Sequence, residues 1–213
     1  MTAPLQTPTA ERIKAACEKF DRDNELTEQS LAELFRQYPG NDDPRHVLLK
    51  VVAINSLYHT SIFAVETVAR HIQANFKEID SALAAGSPEA VNLIAKVTIQ
   101  GRKYNFFSFA TKYCSWHNPE AYPIYDARVD HYLCVLQQQT PFSGFHHADL
   151  WDYPKFRKVM IAFRDTYKLG EFAFKEIDKF LWLEGAPPPS AAPDPAHTGP
   201  GAFDFYPTEE LTS

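Results

Sequence analysis

The chain has 213 residues, of which 45% are apolar and 14% aromatic, and its formal net charge is −6 at pH 7. This length suits one domain with a substantial core. No run of about eighteen apolar residues is present, which argues against a membrane span. The N-terminus has no hydrophobic signal region, so we expect a cytoplasmic protein. The three cysteines, Cys17, Cys114 and Cys134, lack CxxC spacing, so we expect reduced thiols and neither a disulfide framework nor a structural zinc site.

The negative charge is concentrated at the C-terminal end. Residues 184–213 contain five of the 27 acidic residues and no lysine or arginine, and residues 186–213 are rich in Pro and Ala. We therefore predict a helical domain over residues 1–185 and a disordered acidic tail over residues 186–213. The remaining 22 acidic residues nearly balance the 21 basic ones, so the body of the protein permits a basic face without establishing one.

Apolar residues recur at helical spacing along most of the chain, and no stretch shows the period-two alternation of a strand, so we predict an all-α fold. The apolar run over residues 47–72 is either one long buried helix or two helices joined near residues 58–60. Helices are predicted to begin at Thr9, Thr27, Asp43, Phe76, Ser87, Phe106, Asp126, Tyr153 and Phe174.

Residues 101–133 carry the strongest functional pattern. Residues 106–116 are apolar at almost every position except Lys112, which predicts a buried helix with one lysine in it. Residues 117–123 contain two prolines and end that helix. Asp126 precedes a new apolar helical repeat and is therefore predicted to be its N-cap.

Lys112 and Asp126 are predicted to face each other across this loop. A desolvated lysine that loses its proton is a nucleophile, and a nearby carboxylate stabilises a developing cation. In the alternative interpretation, Lys112 extends to solvent and Asp126 only caps a helix. The residues alone leave both interpretations open.

His146 and His147 form the other cluster of potential ligands, in a loop that also contains Asp149. Such residues bind metals, but adjacent histidines point apart unless the loop is bent. A solvated loop is the simpler interpretation. We therefore expect no metal site and no cofactor.

The pattern around Lys112 resembles that of the helix-hairpin-helix DNA glycosylases. SFATKYCSW matches the lysine helix of that superfamily, and residues 122–129 supply its Pro-x-x-Asp motif. Residues 48–60 are similar to the early buried helix whose polar end faces DNA, and residues 175–182 resemble the closing helix of bacterial relatives. The similarity spans most of residues 44–184. It departs at residues 103–108, which stand in place of the hairpin glycines, and in a shorter Lys-to-Asp interval.

The resemblance implies an enzyme that flips a modified base out of DNA and attacks the sugar with Lys112, while Asp126 stabilises the cationic sugar. The Schiff base so formed permits strand cleavage. The resemblance extends to the bacterial anti-phage glycosylases, which remove glucosylated hydroxymethylcytosine from phage DNA. The expected partner is modified duplex DNA, and the expected state is a monomer. A non-catalytic nucleic-acid-binding module and a protein-interaction domain remain alternatives.

The same resemblance implies two further sets of contact residues. For each aromatic residue, ordinary core packing is the alternative. The residues expected to contact substrate are Asn55, Tyr58, His59, Trp116, His117, Tyr122 and Tyr125. The residues expected to contact the DNA backbone are Arg102, Lys103, Asn105 and Arg128.

Overall fold

A computed structural model describes residues 5–185. Over these residues the chain is mostly helical, as predicted, and the predicted 186–213 tail lies outside them. None of the described helices combines the length and apolarity that a membrane span needs. The helices are α1 (Ala10–Gln37), α2 (Pro44–Tyr58), α3 (Val65–Ala74), α4 (Phe76–Ala84), α5 (Glu89–Ala95), α6 (Phe107–His117), α7 (Ala127–Gln139), α8 (Tyr153–Thr166) and α9 (Phe174–Glu184), with a 3-10 helix (His147–Trp151) before α8. The strands are β1 (Lys96–Ile99) and β2 (Arg102–Asn105).

The first helix is longer than predicted. Thr9 caps it as expected, but the helix continues to Gln37 across a kink at Asn24, where φ is −126° and ψ is 19°. The Asn24 side chain donates to the Phe20 carbonyl at 2.9 Å. Helical geometry is therefore interrupted close to the predicted start of a second helix, and α1 consists of two halves. Thr27 lies within the second half, so only its predicted position at the start of that helix is wrong.

The apolar run over residues 47–72 forms two helices, α2 and α3, which was one of the two alternatives. Asp43 caps α2, and the helix ends where His59 adopts a left-handed conformation at φ 51°. The Asn55 side chain holds the following turn. Its Oδ1 accepts from the Ile62 amide at 2.8 Å, and its Nδ2 donates to the Ile62 carbonyl at 3.0 Å. The turn thus occupies both ends of the Asn55 amide.

The prediction that no strand is present is wrong for residues 96–105, which form an antiparallel β-hairpin. Gln100 and Gly101 make its two-residue turn with φ values of 48° and 77°, the positive angles that such hairpin turns require. The side chains of Val97 and Ile99, which belong to β1, are buried. A two-stranded sheet is marginal alone, so this apolar contact with the helical body holds the hairpin in place.

The position of residues 103–108 before the lysine helix also differs from the expectation. Arg102, Lys103 and Asn105 belong to β2, so residues 103–108 are not a short turn between two helices. Phe106 is the N-cap of α6, and no side chain caps that helix end. Asn105, which is expected to contact the DNA backbone, is thus a strand residue and does not cap α6.

Helix α6 lies in the centre of the core. All seven residues from Phe109 to Ser115 are buried, because α6 packs against α1, α2 and α5. On the other side of the site, α9 packs against α1 and α7. Gly185, directly after α9, lies so close to the Arg128 carbonyl oxygen that a Cβ atom would clash with it. This close approach brings the end of α9 to the start of α7.

A second buried lysine connects α2 to the end of α1. Lys50 is fully buried, and its Nζ donates to the Tyr38 carbonyl at 3.1 Å, the Gly40 carbonyl at 2.9 Å and Asn41 Oδ1 at 2.8 Å. Burial lowers the pKa of Lys50 to about 8, although Asp80 and Asp42 oppose the change. The ammonium therefore supplies the hydrogen bonds that these buried acceptors need.

Replacing this lysine with a residue of similar volume should destabilise the fold. Lys50→Met removes the charge but leaves the Tyr38 and Gly40 carbonyls without their donor, so we expect a loss of about 2 kcal/mol in the free energy of unfolding. Chemical denaturation measures this directly. Lys158→Met, at an exposed position of α8, is the control and should change stability by less than about 0.5 kcal/mol. Equal stability of the two variants would contradict a structural role for Lys50.

Candidate active site

Lys112 lies in the buried part of α6, at 3% exposure. Its Nζ donates to Ser108 Oγ at 2.8 Å and to the Tyr125 carbonyl at 3.3 Å. The same atom lies 3.7 Å from Asp126 Oδ2 and 5.7 Å from the centroid of the Tyr58 ring. The predicted pairing of Lys112 with Asp126 is confirmed as geometry, and the alternative in which Lys112 reaches solvent is wrong.

Asp126 holds two roles at once. Its Oδ1 accepts from the backbone amides of Arg128 and Val129, both at 3.0 Å, which confirms it as the N-cap of α7. Its Oδ2 faces Lys112, and 19% of its side chain remains exposed. Because the two amides fix the carboxylate, Oδ2 is held in position beside the amine.

Asp178 is a third ionisable residue of the site, and the sequence pattern does not identify it. It comes from α9, and its Oδ1 is shielded from solvent without a hydrogen-bond partner. Burial raises the pKa of Asp178 well above its usual range, and the charge of Asp126 raises it further, whereas Lys112 and Lys175 oppose the rise. An unpaired buried carboxyl oxygen costs stability, and such costs are concentrated at functional sites.

This burial predicts a pH-dependent effect of Asp178→Asn. Below the pKa of an unperturbed Asp, about 3.9, the carboxyl is mostly protonated in both the folded and the unfolded chain. As pH rises, the unfolded chain ionises first, because the folded-state pKa is raised, and wild-type stability falls. The amide of the variant cannot ionise. We therefore expect the stability of the variant to rise relative to wild type between pH 4 and pH 8.

The measurement is thermal or chemical unfolding of both proteins across that pH range. Asp165→Asn, at an exposed position of α8, serves as the control and should show no such trend. A stability difference between Asp178→Asn and wild type that stays constant from pH 4 to pH 8 would show that the carboxyl is not strained by burial.

Aromatic side chains form one wall of the site. Trp116 Nε1 donates to the Tyr58 hydroxyl at 3.0 Å. Lys175 Nζ lies 2.9 Å from the centroid of the Trp116 ring and 2.9 Å from Glu28 Oε2. Burial lowers the pKa of Lys175, while Glu28 opposes the shift. Two of the predicted substrate residues, Tyr58 and Trp116, are thus brought to the Lys112 side of the core.

A surface cleft of about 320 Å³ opens beside this wall. Neither Lys112 nor Asp126 lines it. The lining residues are Ala32, Phe35, Arg36, Ser115, Trp116, His117, Pro119 and Lys175.

Tyr122 lies elsewhere than predicted, whereas His117 lines the cleft beside Trp116 and also contacts Lys50. Tyr122 is fully buried, and its hydroxyl donates to the Ala82 and Ser87 carbonyls, both at 2.9 Å. It is a core residue, which corrects its assignment as a stacking surface. His117 Nε2 lies 3.3 Å from Lys50 Nζ. Burial, with a contribution from Lys50, lowers the pKa of His117 to about 3, so this ring is neutral at physiological pH.

Of three further residues that are predicted to contact substrate or DNA, only Tyr125 contacts Lys112. Tyr125 contributes its carbonyl to Lys112, but its hydroxyl donates to Asp130 Oδ2 at 2.9 Å. His59 is exposed at the end of α2. Arg128 donates to the Trp182 carbonyl at 3.2 Å, and its guanidinium carbon lies 3.9 Å from the Trp182 ring centroid. Arg128 is therefore bound to α9.

The described chain is thus a mostly helical domain with a buried lysine–carboxylate pair between α6, α7 and α9. Residues 12–121, about half of the chain, match the family model described as the HI_0787 N-terminal domain, and the chain belongs to this family. The matched segment includes Lys112 and ends before Asp126.

The chain is also 44% identical over 131 residues to an uncharacterized protein of Haemophilus influenzae. The match covers 62% of this chain and 62% of that relative, so the chain spans less than two thirds of the relative's length. No solved structure matches the chain at a significant level.

Proposed function

We propose that this protein is a DNA glycosylase that excises a modified base through Lys112, as in the helix-hairpin-helix superfamily that its sequence resembles. The observation that carries the proposal is the 3.7 Å approach of Asp126 Oδ2 to the buried Lys112 amine. Lysine and aspartate are the two groups that this chemistry requires, and here they converge from separate helices. The buried Asp178 carboxyl adds a further proton-carrying group at the same site.

In the proposed mechanism, the Lys112 amine first loses a proton, and Asp126 is the adjacent acceptor. The neutral amine then attacks the anomeric carbon of the flipped nucleotide. As the new C–N bond forms, the glycosidic bond breaks and the base leaves with its electron pair. The base takes up the proton that Asp126 accepted, which returns Asp126 to its carboxylate form. Opening of the sugar gives a Schiff base, which water hydrolyses or which eliminates the 3′ phosphate. Asp126 stabilises the positive charge that develops on the sugar.

Substrate access requires that the side chains covering Lys112 move, because only 3% of the residue is exposed. Asp126 lies on the more open side, with 19% of its side chain exposed. The Tyr58 ring stands at the site, and stacking on a flipped base is worth about 1–3 kcal/mol per base. The Trp116 ring already contacts the Lys175 amine and the Phe35 ring, so it can stack on a base only after one of them moves. A modified, weakly stacked base is the cheapest to extrude.

The β-hairpin is the part of the surface best suited to the DNA backbone. Lys96, Arg102 and Lys103 are exposed on it, and residues 96–105 contain no acidic residue. None of the ion pairs seen within residues 5–185 involves these three cations. Beside them, the Phe63 ring, 55% exposed, lies 5.6 Å from the Tyr104 ring. Cations next to an aromatic surface are typical of nucleic-acid binding sites.

Replacing Arg102 and Lys103 together by alanine should weaken DNA binding through lost phosphate contacts. Each contact adds about 0.9 to the slope of log affinity against log salt, so the double variant should flatten that slope by up to about two units. Base release at saturating enzyme should change far less. Titrations at several salt concentrations measure the slope, and an unchanged slope would mean that the backbone is held elsewhere.

A non-catalytic nucleic-acid-binding module is the second candidate, and one observation favours it. The Lys112 amine already has three partners, Ser108 Oγ, the Tyr125 carbonyl and Asp126 Oδ2, which is also what a structural lysine needs. In that case the hairpin would bind DNA without any chemistry at Lys112. The protein-interaction alternative depends on the C-terminal segment, which lies outside residues 5–185.

Base release separates the two candidates. The protein is incubated with genomic DNAs that carry different modified bases, including glucosylated hydroxymethylcytosine, and the free bases are identified by mass spectrometry. Release of one modified base supports the glycosylase and names its substrate. Salt-dependent DNA binding without release from any DNA in the panel would favour the binding module.

A further inference from the structure

Three potential metal ligands meet beside α7, away from the amine of Lys112. Asp130 and Cys134 are one helical turn apart on α7, and His147 comes from the 3-10 helix. Asp130 Oδ1 lies 2.8 Å from His147 Nε2 and 4.0 Å from Cys134 Sγ. The three ligand atoms all lie within 4.8 Å of one another. Adjacent His146 is exposed, so the two histidines point apart and only one joins the cluster.

We propose that Asp130, Cys134 and His147 bind a divalent zinc-class ion. A thiolate, an imidazole and a carboxylate are the three ligand types that zinc takes in proteins. Magnesium and calcium prefer all-oxygen ligands, so this mixed set disfavours them. Three protein ligands leave a fourth position for water, and His147 keeps 36% of its side chain exposed on that side of the protein. The site does not depend on the proposed glycosylase activity.

Only small movements are needed to complete the geometry. Zinc–ligand bonds of about 2.0–2.3 Å place neighbouring tetrahedral ligand atoms about 3.3–3.8 Å apart. The Asp130–His147 distance of 2.8 Å is slightly shorter than this range, and the Asp130–Cys134 distance of 4.0 Å is slightly longer. Side-chain rotations on the scale of 1 Å therefore bring the three atoms to zinc-binding distances.

A second set of contacts holds the carboxylate in a suitable orientation. The Tyr125 hydroxyl donates to Asp130 Oδ2 at 2.9 Å, and Trp151 Nε1 donates to the Tyr125 hydroxyl at 2.5 Å. These bonds fix Oδ2 and leave Oδ1 towards His147. Hydrogen bonds of this kind orient metal ligands and are typical of metal sites.

Metal binding would deprotonate the thiol. Burial raises the pKa of Cys134 to about 12, with Asp130 adding to the rise, so the thiol keeps its proton in the metal-free protein. When the ion binds, the S–H bond breaks, a metal–sulfur bond forms and the proton leaves to solvent. Because Tyr125 contacts both Asp130 and Lys112, the bound ion would also brace the segment that carries Asp126.

The test is a titration of the chelator-treated, full-length protein with Zn²⁺, followed by calorimetry and by melting temperature. We expect one equivalent to bind, the release of at least one proton and a rise in melting temperature. Substitution with Co²⁺ should give the absorption of a cobalt–thiolate bond. Cys134→Ser and His147→Gln should each weaken binding by more than about tenfold.

Two control variants keep the test specific. His146→Gln changes the adjacent histidine, and Cys17→Ser changes another partly buried thiol, so both should bind Zn²⁺ as wild type does. The absence of stoichiometric binding would overturn the proposal. Binding that survives both Cys134→Ser and His147→Gln would also overturn it, because it would place the ion elsewhere.

Discussion

Lys112→Gln should abolish borohydride-dependent trapping of the protein on a substrate DNA. Trapping requires the Schiff base, and the Gln amide cannot form one, so the yield should fall by at least about a thousandfold. Glutamine keeps a hydrogen-bond donor near Ser108 and the Tyr125 carbonyl, so the fold should survive. Gel electrophoresis of the reduced complex measures the yield, and circular dichroism checks the fold.

The informative control is Lys175→Gln. Lys175 is the other partly buried lysine of the site, but its amine is engaged by Glu28 and the Trp116 ring. This variant should still be trapped, even if more slowly. If Lys112→Gln is trapped normally and Lys175→Gln is not, then the nucleophile is Lys175 and the assignment to Lys112 is wrong.

Asp126→Asn should lower the rate of base release by about 10²–10³-fold, the usual cost of losing one group that stabilises transition-state charge. Asparagine caps helices about as well as aspartate, and loss of the charge at the helix end costs at most about 1 kcal/mol. Activity should therefore fall much more than stability. Single-turnover kinetics and a melting curve of the same preparation give both quantities.

A matched control for this substitution is Asp152→Asn, which changes the N-cap of α8. The Asp152 side chain accepts from the Lys155 amide at 3.2 Å, so it experiences the same loss of charge at a helix end. Its base release should equal that of wild type. If both variants lose activity to the same small extent, Asp126 is only a cap and the catalytic interpretation fails.

The predictions that succeeded depend on local interactions. Thr9, Asp43 and Asp126 were identified as N-caps because capping involves only residues two or three positions away. Lys112 and Asp126 were paired correctly because the loop between their helices is short. A single charge in an apolar helix needs a partner, and few positions were within reach.

The parts that the sequence did not predict depend on tertiary contacts. The hairpin strands have four residues each, and only Val97 and Ile99 on β1 show the alternation of a strand. Its turn uses Gln100-Gly101 rather than the more recognisable Asn-Gly pair. Asp178 lies in an ordinary amphipathic helix, and only the docking of α9 on α1 and α7 brings it to Lys112.

The proposed metal ligands at α7 also depend on tertiary contacts that the sequence pattern does not show. Cys134 and His147 are far apart in the sequence and show no ligand spacing, so the cysteine count argued against zinc. The 3-10 helix places His147 against Asp130, and no local pattern encodes that contact. Residues 147–149 were expected to be part of a loop, and they form the first part of this 3-10 helix instead.

Peptide mapping of the borohydride-reduced complex identifies the nucleophilic residue directly. The trapped protein is digested with protease and nuclease, and mass spectrometry locates the residue that carries the sugar remnant. We expect the remnant on Lys112, within the α6 peptide. A remnant on Lys175 or on the N-terminal amine, or no remnant on the protein after confirmed base release, would contradict it.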